Sequence, residues 1–161
     1  MPIVRTMDDG DLHLRAPGPG DEEQLAVIVA EPDVRRWWVG GDYDLERGWI
    51  LEVDATVAGW LEFDEEPHQW FPSVAFDIFL RSGLHGRGYG RRALAAGIGH
   101  FAGLGHHRFT VDPNARNERA IRCYESLGFE PVGVLRDYER DPAGGWNDAL
   151  LMELIRHPVG P

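Results

Sequence analysis

The chain has 161 residues, 43% hydrophobic and 27% charged, with a formal net charge of −11. That length and composition describe one globular domain over residues 1–161 and exclude a disordered or collagenous chain. The acidic balance excludes nucleic acid as a partner, because phosphate contacts need clustered cations; it either steers a cationic ligand in or only keeps the protein in solution.

No apolar run approaches the roughly 20 residues that span a bilayer, and no basic-then-apolar signal segment opens the chain. No membrane partner is therefore expected, and the cytoplasm is the default location. A single cysteine, Cys123, leaves neither an internal disulfide nor a cysteine-based metal site. A monomer and a homodimer are equally compatible with these features.

Met1 to Gly10 shows no periodicity and reads as a loose leader. Asp11 to Arg15 alternates, with Leu12 and Leu14 on one face, and predicts a first strand. After the turn at Pro17 to Gly20, Asp21 is expected to N-cap a helix with Gln24 at the capping-box position. Leu25, Ile28 and Val29 give that helix its apolar stripe, and Pro32 ends it. Asp33 to Gly41 predicts a further short helix. Within it Trp37 and Trp38 project about 100° apart, so only one can enter a core; the other lines a surface or cleft, as a lid or as a stacking platform.

Gly48 to Val53 and Thr56 to Phe63 predict a hairpin turning at Asp54-Ala55. The acidic, proline-containing stretch Asp64 to Pro72 reads as a loop. Val74, Phe76, Ile78 and Leu80 then alternate with Ala75, Asp77 and Phe79 in a strand. An aspartate in so apolar a run is unusual, since strands disfavour Asp and an unpartnered buried carboxylate is costly. Asp77 is either a satisfied buried acid or a general base strengthened by partial desolvation.

That strand runs into His85 to Gly90, HGRGYG, and then a helical pattern. Gly86, Gly88 and Gly90 let the backbone turn sharply and approach a ligand. The unpaired N–H groups of a helix start favour an anion such as pyrophosphate, with Arg87, Arg91 and Arg92 adding cationic reach. An ordinary glycine-rich turn fits the same glycines. A Walker loop is excluded because the chain contains no lysine, and a dinucleotide fingerprint because its glycine spacing differs.

Leu94, Ile98 and Phe101 stripe the next helix, which ends around Gly103 to Gly105. His107 to Val111 predicts a strand closed by Asp112-Pro113. His106 and His107 face opposite ways on a strand and make no metal site. Asn117 is expected to cap a helix with Ala120, Ile121, Tyr124 and Leu127 inward and Gly128 at its end. Phe129 to Leu135 and Ala149 to Ile155 predict two more strands around the turn-rich Asp141 to Gly145. This order implies an α/β, or α+β layered, domain in which helices pack on a mixed sheet.

These residues resemble the GNAT acyltransferase superfamily over nearly the whole chain. Its acyl-CoA loop, Gln/Arg-x-x-Gly-x-Gly/Ala, is matched by His85, Gly88 and Gly90, with His85 departing from the usual Gln or Arg. Asp112 to Phe129 is similar to the family's second cofactor motif, where an asparagine and a tyrosine flank the pantetheine arm, here Asn117 and Tyr124. The resemblance implies a mostly antiparallel central sheet with helices on both faces. It further implies acetyl-CoA as co-substrate, no metal, and cofactor contacts from Phe79, His85, Gly86, Arg87, Gly88, Tyr89, Gly90, Arg91, Asn117 and Tyr124.

Within the superfamily, WWVGG, AFDIFL and the Asp-Pro stretch look like those of aminoglycoside 6′-N-acetyltransferases. On that likeness Asp77 is the catalytic base or substrate anchor, Asp112 helps hold a polycationic sugar, and Trp37 and Trp38 lie near the ring-binding cleft. Tyr124 is the implied acid for the leaving thiol. A second resemblance is to siderophore-pathway and other small-molecule N-acyltransferases. It makes a siderophore precursor, an amino acid or a protein N-terminal amine the alternative acceptor.

Overall fold

The computed structural model describes residues 5–39 and 41–157. Its strands are β1 (Met7–Asp9), β2 (Leu12–Arg15), β3 (Gly48–Val53), β4 (Thr56–Glu66), β5 (Ser73–Leu80), β6 (Arg108–Val111), β7 (Glu130–Arg140) and β8 (Trp146–Ile155). Its helices are α1 (Asp21–Val29), α2 (Pro32–Arg35), α3 (Tyr89–Gly103) and α4 (Glu118–Ser126). The eight strands form one sheet in the order β1-β2-β3-β4-β5-β6-β8-β7. The pairs β1–β2, β2–β3, β3–β4, β6–β8 and β7–β8 are antiparallel. β5 and β6 are parallel, through Val74↔Phe109 and Ala75↔Thr110. A parallel pair needs a crossover connection, and α3 supplies it. The expected mixed, mostly antiparallel sheet is thus the observed one. No described helix is long and apolar enough to cross a membrane.

The chain gathers into two compact units, Met1–Phe63 with Asp77–Gly97, and Asp64–Phe76 with Ile98–Pro161. In the first, Leu12 and Leu14 are fully buried on one face of β2, as their alternation requires. Leu25, Ile28 and Val29 of α1 join Val34, Trp38, Ile50, Val57, Trp60 and Phe79 in one apolar cluster. Trp49 is also fully buried. The β3–β4 hairpin turns at Asp54 and Ala55, both left-handed at φ 50° and 61°. That is the pair of conformations a two-residue hairpin loop favours, carried here without a glycine. Gly59 in β4 has no such freedom to give: a Cβ there would overlap the carbonyl oxygen of Phe79 and lie 3.0 Å from Leu80 Cα.

Three expectations for this unit are corrected. Met7–Asp9, read as part of a leader, pairs with β2 through Met7↔Leu14 and Asp9↔Leu12, while residues 1–4 lie outside the described residues. Asp21 is the first helical residue rather than the cap; Gly20 caps α1 in a left-handed conformation. The Asp21 carboxylate instead accepts from the Gly18 N–H at 2.7 Å and from Arg15 at 2.7 and 2.9 Å, and Arg15 Nε donates to Glu52 at 2.7 Å. A buried carboxylate persists only with such partners, and Arg15, aided by Gly18, holds its pKa below the ordinary value despite burial. Finally, helix α2 covers only Pro32–Arg35 of the stretch expected to run to Gly41, and Gly40 lies outside the described residues.

In the second unit, the rings of Phe76, Phe101 and Phe109 pack together, Phe76 lying 5.9 Å from Phe101 and 6.2 Å from Phe109. Asn117 caps α4 as expected, its side chain accepting from the Ala120 N–H at 3.2 Å. At the other end, Phe129 N–H donates to Tyr124 C=O and Gly128 N–H to Glu125 C=O, with Gly128 left-handed at φ 98°. This is a Schellman closure. β4 continues through Asp64–Glu66, residues expected in the loop. The remaining loop holds itself together: the Trp70 N–H donates to His68 Nδ1, and the His68 ring stacks on Phe71 at 4.2 Å. Trp70 is left 79% exposed, and Trp146 is also exposed. β6 begins one residue after the expected His107. His106 is buried with Nε2 2.7 Å from Glu65 Oε1, and its Nδ1 has no partner among the described residues. β7 and β8 extend to Arg140 and from Trp146, well past the apolar runs that predicted them.

Candidate active site

In the first unit, β5 ends at Leu80, a single 3-10 turn covers Ser82–Leu84, and α3 begins at Tyr89. Gly86 and Gly88 in between have φ of 73° and 85°, and a Cβ at either would meet nothing within 4 Å. Backbone handedness, not crowding, therefore demands glycine at both positions. Gly90 differs: it lies inside the first turn of α3, and an added Cβ would sit 3.6 Å from Leu80 Cδ1, an ordinary contact. The opening i→i−4 bond at this end of α3 runs from Arg92 N–H to Gly88 C=O at 3.1 Å. The N–H groups of Tyr89 and Gly90 precede it and have no acceptor one turn back. With the positive end of the helix dipole, that arrangement suits a phosphate.

The side chains around the loop divide into those that hold it and those that face outward. His85 Nε2 lies 2.7 Å from the Leu80 carbonyl oxygen. Tyr89 is 5% exposed, and its hydroxyl donates to the Asp11 carboxylate. Arg92 donates to Asp11 at 2.9 Å and to Asp9 at 2.8 Å, so it is a brace rather than the free cation expected. The hydrogen bond from Tyr89, then that from Arg92, lowers the Asp11 pKa, and Asp11 in turn raises that of the Tyr89 phenol. Gly86, Arg87, Gly88 and Arg91 are exposed.

Asp77, in mid-β5, is exposed, and its Oδ1 accepts from the Ile78 N–H at 2.9 Å. The expected desolvated carboxylate is therefore not found: Phe76 and Phe79 on either side of it are buried, and Asp77 is not. The tryptophan pair lies in the turn that follows α2, and the two rings separate. Trp38 is 7% exposed, meets Phe79 edge to face at 4.7 Å and donates from Nε1 to the Asp42 carbonyl at 3.0 Å. Trp37 is half-buried, with the Arg36 guanidinium 4.6 Å from its ring centre.

In the second unit, Asn117 uses its side-chain oxygen on the α4 cap, and Tyr124 is 5% exposed with its ring 5.9 Å from Phe129. Asp112 accepts from the Tyr138 hydroxyl at 2.5 Å, and Asn114 Nδ2 donates to Glu139 at 2.6 Å. Asp77, Phe79, residues 85–91 and the tryptophan pair thus share one unit; Asp112, Asn117 and Tyr124 share the other. Sequence reasoning missed Asp11 and Tyr138. No local pattern ties Asp11 to a tyrosine 78 positions later, and Tyr138 lies in the half of β7 that no apolar alternation marks.

The strand order, the crossover helix and the glycine loop opening it define an acyltransferase fold of the GNAT type. The sequence profile of the acetyltransferase (GNAT) family matches residues 15–129, and the chain belongs to that family. Among curated proteins, the uncharacterized N-acetyltransferase YycN of Bacillus subtilis (strain 168) is 29% identical over 89 residues, 54% of this chain and 57% of that relative. The match thus spans little more than half of the relative's length. Among solved structures, the ribosomal-protein-S5-alanine acetyltransferase from Vibrio fischeri has a TM-score of 0.83 at 17% identity, over 98% of this chain and 100% of its own. RimL, a ribosomal L7/L12 alpha-N-protein acetyltransferase in complex with coenzyme A, has 0.81 at 17%, over 94% and 98%. At such identities the likeness is one of fold.

Proposed function

We propose that the protein, read as one catalytic domain over 1–161, is an acetyl-CoA-dependent N-acetyltransferase that passes its acetyl group directly to a primary amine in a ternary complex. The observation carrying this reading is the start of α3 in a chain of the GNAT family: two left-handed glycines in open space, followed by helix N–H groups that lack acceptors one turn back. The pyrophosphate of CoA is held by backbone N–H groups between Gly86 and Gly90, with Arg87 and Arg91 beside it. His85 and Phe79 support that loop and strand, and Asn117 and Tyr124 flank the pantetheine arm. No metal takes part in this reading.

In the transfer, the amine lone pair attacks the thioester carbonyl, the C–N bond forms, the C–S bond breaks, and the amine gives up a proton. An amine of lysine-like pKa is neutral in only about one part in two thousand at pH 7, so a proton acceptor is needed. Asp77 has that role, directly or through one water, and its exposure favours the relay. The acceptor works as the C–N bond forms, when the nitrogen becomes strongly acidic. The leaving thiol has a pKa of about 8.5, so an acid such as Tyr124 assists without being obligatory. Cys123 is not required, because direct transfer avoids a covalent intermediate.

The acceptor we favour is a small cationic amine, with the 6′-amine of an aminoglycoside as the specific case. The net charge of −11 and an exposed Asp77 support a cationic guest. Trp37 takes the ring-stacking role, Trp38, next to it in the chain, packs on Phe79, and Asp112 anchors a second ammonium. A protein N-terminal amine is the second reading, favoured by the ribosomal-protein acceptors named for the two structures of like fold.

CoA-thiol release from acetyl-CoA with kanamycin, tobramycin, lysine and a short peptide as separate acceptors tests both. Turnover with the aminoglycosides, lost in Asp77→Asn while CoA still binds, supports the first. Turnover with the peptide alone moves the acceptor to the second reading, and CoA binding without turnover on any acceptor overturns the enzymatic one.

A further inference from the structure

The glycine loop has almost nothing to hold it by packing. Gly86 and Gly88 face open space, and glycine has more backbone freedom to lose than any other residue. A loop that must be ordered as its ligand arrives gives up affinity in doing so. Two side chains replace the missing packing. At the entry, His85 is pinned to the Leu80 carbonyl at 2.7 Å. At the exit, Tyr89 is buried with its hydroxyl on Asp11.

Asp11 is itself braced. Arg92 Nη1 donates to its second carboxylate oxygen at 2.9 Å, Arg92 Nε donates to Asp9 Oδ2 at 2.8 Å, and Arg92 Nη2 donates to the Asp9 carbonyl. Gly10, left-handed at φ 61°, turns the β1–β2 connection so that both aspartates meet one guanidinium, and a Cβ on it would lie 3.4 Å from Arg92 Nη2. Tyr89 and Arg92 are three residues apart on α3 and so lie on one face of its first turn, with the guanidinium 5.1 Å from the phenol ring centre. One network thus grips that turn through its Tyr89 and Arg92 side chains.

We propose that the β1–β2 hairpin, through Asp11, positions the acyl-CoA phosphate loop: Asp11 and Arg92 fix Tyr89, and Tyr89 fixes the direction of the N–H groups from Gly88 to Gly90. The inference rests on reading that loop as the acyl-CoA site. Asp11 is a positioning residue, acting through Tyr89 on cofactor affinity and not on the transfer step.

Calorimetric CoA binding to the full-length wild type, Asp11→Asn, Tyr89→Phe and the double variant tests it, with acetyl-CoA KM and kcat measured for wild type and Asp11→Asn. Tyr89→Phe keeps the ring and its cations, so it preserves the fold if Asp11→Asn does not. Each single variant is expected to bind CoA about tenfold more weakly, the loss of one hydrogen bond to a charged group. The double variant is expected to be no weaker than the worse single, because both changes break the same link. Asp11→Asn raises the acetyl-CoA KM and leaves kcat and the amine KM within about twofold. CoA affinity within twofold of wild type in both singles overturns the proposal, as does a fully additive double variant or a loss confined to kcat. A wild type that binds no CoA overturns instead the reading of the loop on which it rests.

Discussion

Replacing Gly88 with alanine separates backbone handedness from packing. The residue has φ 85°, and nothing lies within 4 Å of an added Cβ, so the methyl group meets no atom and the whole cost is conformational. For an L-residue the left-handed region costs roughly 1–2 kcal/mol. In the free protein the loop relaxes out of that strain and misdirects the N–H groups that follow, so binding must restore the left-handed backbone and bears its cost. At about 1.4 kcal/mol per factor of ten, the acetyl-CoA KM rises about 5- to 30-fold. Gly99→Ala is the control, because its Cβ also meets nothing within 4 Å but the residue lies inside α3 without a positive φ. Alanine there stabilises by about 0.5–1 kcal/mol and leaves KM unchanged. Initial rates of CoA-thiol release across acetyl-CoA concentrations, with thermal melts of both variants, give the comparison. An unchanged KM in Gly88→Ala, or the same rise in Gly99→Ala, would refute the reasoning.

Two further outcomes concern the frame that carries the loop. Asp21→Asn leaves Arg15 with Glu52 as its remaining carboxylate and should cost about 3 kcal/mol near neutral pH, a fall in Tm of roughly 6–12 °C. Because the folded pKa of Asp21 lies below its unfolded value, this stabilisation is complete above about pH 5 and is lost as pH falls through the folded value. Urea titrations of wild type and variant should therefore converge on acidification below about pH 4, and a gap that widens there would contradict the assignment. Gly59→Ala forces a methyl group into the Phe79 carbonyl and should cost about 3 kcal/mol or more; an unchanged urea midpoint would contradict the register of β4 against residues 79–80.

Local signals carried a good part of the fold. Leu12 and Leu14, the Leu94, Ile98 and Phe101 stripe, the Asn117 cap and the Gly128 closure all depend on neighbours within a turn or a strand of themselves. Each stands where the spacing put it. What escaped depends on partners far along the chain. Asp9 and Asp11 look like solvated turn residues until Arg92 and Tyr89 are placed against them, and so β1 passed for a leader. Asp21 has the residue type and position of a cap, but an arginine six residues earlier competes for its carboxylate and wins. β7 is exposed along nearly all its length, so no alternation marked its second half. For the candidate site, the glycine loop was legible because left-handed backbone leaves a residue-type signature. The exposure of Asp77 was not, since an apolar run says which strand is covered without saying which of its residues is left in solvent.

The distribution of the indole rings gives the two units separate optical signatures. Trp38, Trp49 and Trp60 are buried and belong to the unit that holds the glycine loop, whereas Trp70 and Trp146 are exposed and belong to the other. A collisional quencher such as iodide reaches the second set and spares these three buried rings; in a Trp37→Phe variant, which removes the half-buried indole of the first unit, the quenched and residual emission follow different halves of the molecule. An unlabelled sample can thus be watched in two channels at once, and melting of one unit ahead of the other becomes visible as a change in the accessible fraction before the mean wavelength shifts.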